Sequence, residues 1–535
     1  MQRIGNDVRG AQEQDERQRE SGLTADADVI VVGGGPVGLM LAAELRLGGV
    51  QPLVLERQAE VGQTPNANGL GGQIIELLRY RGLLDRFAAA ASHPGPRIPS
   101  YPFAGMHLDL SRLDDPPLKG MRLQHPSVDR LLDERAVELG AEIRRGHRVV
   151  GLQQDDDAVT AEVEGPDGPS RVTARYLVGC DGAYSRIRGM AGIAFPGTTY
   201  PDVNRLSELA VHPSVSVLES GDLVLPDGRT VAAGFTRTAR GVFAFGSLSP
   251  GMLMIQTIED EDVESGEFRD QPPLTLDELG ESIRRVLGFE IPLGEPRRLS
   301  RYRHDARQAE SYREGRVLLA GDAAHVLPAT GIARSVGMLD AVNLAWKLAA
   351  EIHGQAPAGL LDSYHEERHF AGARAMLQSQ AQVALRRGLD DAADALRELF
   401  QELLQDEQPS HRLAALVAGS DVRYPTAGAD DHPLTGTFAP DLTLRTAQGP
   451  TSVAELMRAA RPILLVLGDR PELRETAREW WHHVDTYGVE TDDRPADALL
   501  IRPDAHVAWA AAVDVPVDVA EAGLRDALGR WFGRP

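Results

Sequence analysis

The sequence predicts an α/β protein with a parallel-sheet core, a lobe of antiparallel sheet and a separate C-terminal α/β domain. Three observations carry this expectation. A short β-branched run at 27–32 leads directly into Gly33-Gly34-Gly35-Pro36-Val37-Gly38 and a helical stretch at 39–47. Alternating apolar and polar residues dominate 194–259, most clearly at 230–245. Past a stretch rich in Pro, Asp and Gly, apolar runs resume at 439–444, 462–467 and 498–502.

Each element follows from its pattern. A strand covered on both faces reads as a continuous apolar run, which fits 27–32. A second strand, 52–55, ends at Glu56 and completes a βαβ unit of Rossmann type. Apolar spacing predicts a helix over 131–139, followed by a strand over 141–152. The Gly/Pro/Asp cluster at 165–169 marks a hairpin, and 175–179 is another buried strand. Alternation over 194–259 is what an antiparallel sheet with one covered face requires. A buried strand returns at 316–320, with long helices over 340–352 and 361–387. The chain therefore divides into a polar, disordered leader (1–25), a discontinuous core domain (26–193 and 296–405), a sheet lobe (194–295), a linker (406–432) and a C-terminal domain (433–535).

Composition narrows the function. A chain of 535 residues is too long for one core of ~100–200 residues. The formal net charge of −23 repels nucleic acid and anionic membranes, so neither is expected as a partner. The single cysteine, Cys180, excludes an intramolecular disulfide and a multi-thiolate zinc site, and it suits a reducing cytoplasm. Residues 1–25 hold no apolar export segment, and no run of ~18 apolar residues spans a membrane, so a cytoplasmic location is expected. His482 and His483 are neighbours on a helix and do not share a face, so no metal is expected there.

The strongest motif is Gly33-x-Gly35-x-x-Gly38 with Glu56 beyond it. The first glycine permits the turn, the second lets a pyrophosphate approach the backbone, and the third lets helix and strand pack closely. The partial positive charge of the helix N-terminus favours phosphate, and an acid at the next strand's end accepts from a ribose. This spacing predicts a dinucleotide. Two further strands run into acidic turns, at Asp181-Gly182 and at Gly321-Asp322. Either one alone reads first as an Asp-Gly turn or a helix cap.

Together, in this order, the three motifs resemble those of the class A flavoprotein monooxygenases of the para-hydroxybenzoate hydroxylase type. The similarity is greatest to the aromatic polyketide hydroxylases and rifampicin monooxygenases, and it runs from Ala27 onward. The resemblance implies FAD and NAD(P)H as cofactors. It assigns Gly33, Gly35, Pro36, Val37, Gly38, Glu56 and Arg57 to the adenosine and pyrophosphate half of FAD. Asp181-Gly182 would serve both FAD and NAD(P)H, and Gly321-Asp322 the ribityl region. Gln124, Val149, Pro328 and Gly331 complete the expected cofactor contacts. The stretch at 340–348 matches the family's helix after the flavin loop. His432-Pro433-Leu434-Thr435-Gly436 and residues 500–504 resemble a thioredoxin-like C-terminal domain. That domain lacks Cys-x-x-Cys, so its expected role is structural or in oligomerisation, and a homo-oligomer is left open.

Two places depart from the family. Where an arginine usually contacts the flavin, this chain has Asn66 and Asn68. The loop beneath the flavin ring carries Ile332 and Arg334 in place of small or polar residues. Arg334 either replaces the missing positive charge or is solvated or paired with phosphate. His325 reads as a proton carrier or as a structural histidine. Phe235, Phe243 and Phe245 read as walls of a substrate cavity or as ordinary sheet packing.

By resemblance the reaction is NAD(P)H-driven hydroxylation of a small-molecule aromatic substrate, a large polycyclic polyketide, through a C4a-hydroperoxyflavin; no catalytic residue can be named. Two rivals stand on the same fold: a Baeyer–Villiger or ring-rearranging enzyme, and a flavoprotein without oxygenation that acts as a reductase, redox-neutral cyclase or scaffold.

Overall fold

The computed structural model describes residues 25–61, 69–91, 97–123, 125–249, 251–260, 272–328, 331–388, 390–426, 428 and 431–535. Strand β1 (Ala27–Val32) is almost wholly buried and passes through the glycine turn into helix α1 (Pro36–Leu47). Pro36 sits in the first helical turn, where the missing N–H costs no intrahelical bond. Strand β2 (Pro52–Glu56) closes the unit. Helix α2 (His125–Glu138) precedes β3 (Glu142–Arg145) and β4 (Arg148–Gln154). The single strand expected over 141–152 is thus two strands, divided at Gly146, whose φ of 71° lies in the left-handed region. A meander of β5 (Val159–Gly165) and β6 (Gly168–Gly179) follows.

The second lobe comprises β7 (Gly197–Ala210), β8 (Gly234–Thr238), β9 (Gly241–Ser249), β10 (Met252–Asp260), helix α3 (Leu276–Leu287) and β11 (Pro296–Gln308). The chain then returns to the core through β12 (Arg313–Glu314) and β13 (Val317–Leu319), and β14 (His325–Val326) rejoins the lobe. The core sheet runs in the order β12-β13-β6-β1-β2-β3, with β13, β6, β1, β2 and β3 mutually parallel. The lobe sheet runs β8-β9-β10-β7-β11-β14 and is antiparallel throughout.

Helices α4 (Ala333–Ile352) and α5 (Ser363–Arg387) cross the core, followed by α6 (Asp391–Leu403) and α7 (Glu407–Ala418). Helix α7 occupies part of the stretch read as linker. Its Ala414 and Val417 are buried and Gly419 ends it at φ 76°, whereas the Pro, Asp and Gly that suggested a linker cluster at its flanks. The C-terminal domain orders its strands β16-β15-β17-β18, namely Asp485–Gly488, β15 (Ile463–Val466), Ala498–Ile501 and Val507–Ala511. Strand β15 is parallel to β16 and antiparallel to β17, and helix α8 (Val517–Phe532) closes a thioredoxin-like arrangement. One face of this sheet is continuous with the main core, where Leu465, Leu499, Ile501 and Val507 join the cluster that includes Val29, Leu41 and Leu344.

Candidate functional site

A groove of about 300 Å³ opens at the carboxyl ends of β1, β2 and β6, where open α/β sheets bind ligands. Its lining includes Gly33, Gly35, Pro36, Glu56, Arg57, Val149, Asp181 and Gly182, which the sequence had placed in the site. Gly33 adopts φ 112°, and a Cβ there would lie 2.4 Å from the Cys180 carbonyl oxygen. A Cβ on Gly38 would meet the Gly33 carbonyl oxygen at 2.0 Å, so this glycine serves packing. Gly35 is different, because no atom lies within 4 Å of where its Cβ would sit. The amides at the start of α1 have no side-chain cap and face that open space. Glu56 stands opposite, accepting from Gly34 N at 2.6 Å and Gln58 N at 2.7 Å. A cradle left open by a glycine, uncapped amides and an acid at the second strand's end fit a dinucleotide such as FAD.

Asp181 shapes the wall of this groove. It accepts from Ser185 Oγ at 2.5 Å, Arg186 N at 2.8 Å and Ile187 N at 3.2 Å, while Gly182 takes φ 85°. The lining also includes Asp129, Arg145, His147, Arg148, Tyr184 and Arg186, which sequence reasoning missed. They come from α2, the β3–β4 turn and the segment after β6; Tyr184 and Arg186 belong to the motif that begins at Asp181-Gly182, and no local motif links the other four.

The Gly321-Asp322 turn packs against the start of α1. Gly321 has φ 66°, and a Cβ there would lie 2.8 Å from Val37 Cγ2. Val37 thus packs against the turn. Asp322 is exposed beside it. Asp340 of α4 holds the turn from below, accepting from Gly321 N at 3.0 Å and pairing with His325 Nε2 at 2.7 Å and Arg368 Nε at 2.7 Å. Burial opposes ionisation of Asp340, but Arg368 and His325 outweigh it and hold the carboxyl below the usual range. His325 is fully buried, which fits its structural reading.

Pro328 is buried and Gly331 is exposed. Ile332 is buried in an apolar cluster with Phe103, Leu118 and Val417, which absorbs its bulk. Arg334 begins α4 within electrostatic reach of Asp129 and Asp322; burial pulls its pKa below the usual guanidinium value. Gln124, Asn66, Asn68, Ala329 and Thr330 lie outside the described residues.

In the lobe, the structure corrects two of three expected cavity walls. Phe243 and Phe245 are buried between the sheet and α3, with Ile255, Leu279 and Ile283. Alternation decides this: Phe243 pairs with Thr257, whose hydroxyl meets Ser282 of α3 at 2.6 Å. Phe235 pairs with Ala244 and points to the opposite, inner face, where the Arg386 guanidinium of α5 lies 5.7 Å from its ring. That face also carries Gln256, which donates to Asn204 Oδ1 at 2.9 Å and Tyr302 OH at 3.3 Å. Next to it, a cavity of about 310 Å³ lies between the sheet end and α5, lined by Asp202, Val242, His304, Arg240, Arg386 and Arg387 among others.

The FAD binding domain family model matches residues 26–379, and the model for the C-terminal domain of aromatic-ring hydroxylases matches 432–535. The chain is 40% identical over 522 residues to 12-dehydrotetracycline 5-monooxygenase/anhydrotetracycline 6-monooxygenase of Streptomyces rimosus, covering 95% of this chain and 99% of the relative. It is 38% identical over 520 residues to dialkyldecalin synthase of Streptomyces rugosporus, covering 94% and 98%. The solved structure of CabE, an aromatic hydroxylase from angucycline biosynthesis, superposes with a TM-score of 0.84 at 38% identity, covering 95% of this chain and 100% of the other.

Proposed function

The chain belongs to the FAD-dependent aromatic-ring hydroxylases, and from that premise we propose that it hydroxylates a polycyclic aromatic polyketide at the expense of NAD(P)H and oxygen. The observation that carries the cofactor assignment is the uncapped start of α1 facing the space above Gly35, with Glu56 opposite. When bound, FAD supplies electron transfer and activation of dioxygen. The chain's own residues do the rest. Gly33, Gly35 and the α1 amides receive the pyrophosphate, and Glu56 receives the adenosine ribose. Arg57, Val149, Asp181, Gly182, Gly321, Asp322, Pro328 and Gly331 frame the remainder. The inner face of the lobe sheet, with Phe235, walls the ring system away from water. Arg386, Arg387 and Arg240 outnumber Asp202 and Asp260 around the adjoining cavity and favour the ionised form of a phenol.

The test is direct. Purified protein should be yellow and release FAD on denaturation. With a tetracyclic phenol and NADPH under ¹⁸O₂, the product should gain one labelled oxygen. Absence of flavin refutes the assignment at its root, and NADPH consumption without label refutes the hydroxylase.

A second reading, a redox-neutral cyclase that uses the flavin without oxygenation, is favoured by the altered Ile332 and Arg334 loop and by the similarity to dialkyldecalin synthase. Product formed without oxygen and without NADPH would select it.

A further inference from the structure

We propose that the 502–506 turn of the C-terminal domain is a positioning element for the flavin groove. It would couple the seating of that domain to the placement of the glycine-turn helix and of the Gly321-Asp322 turn. The inference rests on the FAD reading of the groove. It goes beyond the structural role expected for a domain without thiol chemistry.

Three lines of contact leave this turn: one ends on α1, whose first residue lines the groove, one on α4 and α5, and one on the Gly321-Asp322 turn that packs against the start of α1. The first reaches α1. Arg81 makes a forked ion pair with Glu44 of α1, with contacts at 2.8 and 2.8 Å, and donates to the Pro503 carbonyl at 2.6 Å. The second reaches α4 and α5. Arg502 binds Glu367 of α5 at 2.5 and 2.9 Å and Asp504 at 2.5 and 3.0 Å. Asn343 of α4 donates to both Glu367 and Asp504 at 2.8 Å, and Lys347 donates to Glu367 at 2.7 Å. The third reaches the acidic turn itself. His506 stacks on Tyr424 at 4.4 Å, and the Tyr424 hydroxyl accepts from Arg368 at 3.0 Å. Arg368 binds Asp340 at 2.7 Å, and Asp340 accepts from the amide of Gly321.

Arg502, Glu367, Lys347 and Asp340 are all 2% exposed or less, so no water substitutes for a lost partner. The Arg502 guanidinium also lies 4.4 Å over the Trp531 ring. Within the turn, Ala505 holds φ 61°, a conformation that L-residues adopt only where their surroundings impose it. Strain at this point is expected of a segment whose position is specified from several sides. Coupling between sites is reciprocal, so if the turn positions the groove, filling the groove must steady the turn.

That reciprocity gives a test on the unmodified protein. Hydrogen–deuterium exchange is measured with and without saturating FAD. Amides of 499–508 should gain at least 5-fold protection, although none of them lines the groove. Two variants read the other direction. Tyr424→Phe removes only the hydroxyl that Arg368 uses. Arg502→Lys keeps the charge but loses the fork. FAD affinity, from fluorescence quenching, should weaken about 5-fold for Tyr424→Phe and 10-fold or more for Arg502→Lys. The flavin's visible circular dichroism should change in both, a readout that a loss of global stability alone leaves untouched. Wild-type protein that binds FAD with no change of exchange at 499–508 overturns the proposal, even if a variant fails to fold. So do variants that bind FAD with wild-type affinity and spectrum. Wild-type protein that binds no FAD refutes the flavin assignment instead, so the two failures are distinguishable.

Discussion

At Gly38 a single methyl group decides whether helix and strand can meet. Its Cβ would stand 2.0 Å from a backbone oxygen, and backbone cannot yield as a side-chain tip can. Gly38→Ala should therefore lower stability by about 3 kcal/mol, read as a fall in the denaturant midpoint. Gly35→Ala should leave the unliganded protein within about 0.5 kcal/mol of the parent, because the added carbon meets nothing. The same carbon occupies the space assigned to the pyrophosphate, so FAD affinity should fall at least 10-fold. Equal effects of the two substitutions on unliganded stability would refute this division of labour. The pair also shows why the motif was legible in sequence: its three glycines and Glu56 lie within one βαβ unit, and their spacing encodes their geometry. Arg145, Arg148 and Asp129 line the same groove from other elements, and nothing in their local sequence records it.

The lobe sheet is an element whose pattern was legible and whose facing was not. Alternation at 230–245 announced a half-covered sheet, but two faces are available to a strand, and covering the outer one with α3 settles which is core. Phe243 is fully buried there. Phe243→Ala should cost about 3–5 kcal/mol and leave the KM of the folded enzyme near its parent value. Phe235 is half-buried on the inner face. Phe235→Ala should raise KM for the aromatic substrate several-fold with a much smaller loss of stability. A KM effect confined to Phe243→Ala would reverse the assignment of faces. Elements with mixed signals were read less well. Gly146 breaks a strand that its apolar neighbours would continue, and α7 hides behind the Pro and Asp residues at its flanks.

For the whole molecule, the sequence distinguished a C-terminal domain but gave no sign that its sheet shares a core with the dinucleotide-binding domain, because the contacting residues are hundreds of positions apart. An apolar interface of that kind unfolds with its neighbours, so calorimetry near pH 7 should show one cooperative transition, and two resolved transitions would refute the shared core. Acid should weaken it through His506. Burial disfavours the charged imidazole and pulls its pKa to about 4, although Asp504 and Glu367 favour the charge and Arg502 opposes it. The folded state thus binds this proton less readily than the unfolded chain, whose histidine titrates at about 6.5. Stability contributed by the neutral ring is complete above that value and falls as pH drops towards 4, by an amount on the order of 3 kcal/mol. Glu367 and Asp504 are held below the usual carboxylate range once Arg502 and their other partners outweigh the cost of burial, so their share is lost only at lower pH. Between pH 6.5 and 5 the histidine term therefore dominates at this interface. The melting temperature of the parent should fall across that window, and His506→Phe, which has no proton to gain, should show a clearly shallower slope. Parallel slopes for the two proteins would mean that the ring is not held neutral at the junction.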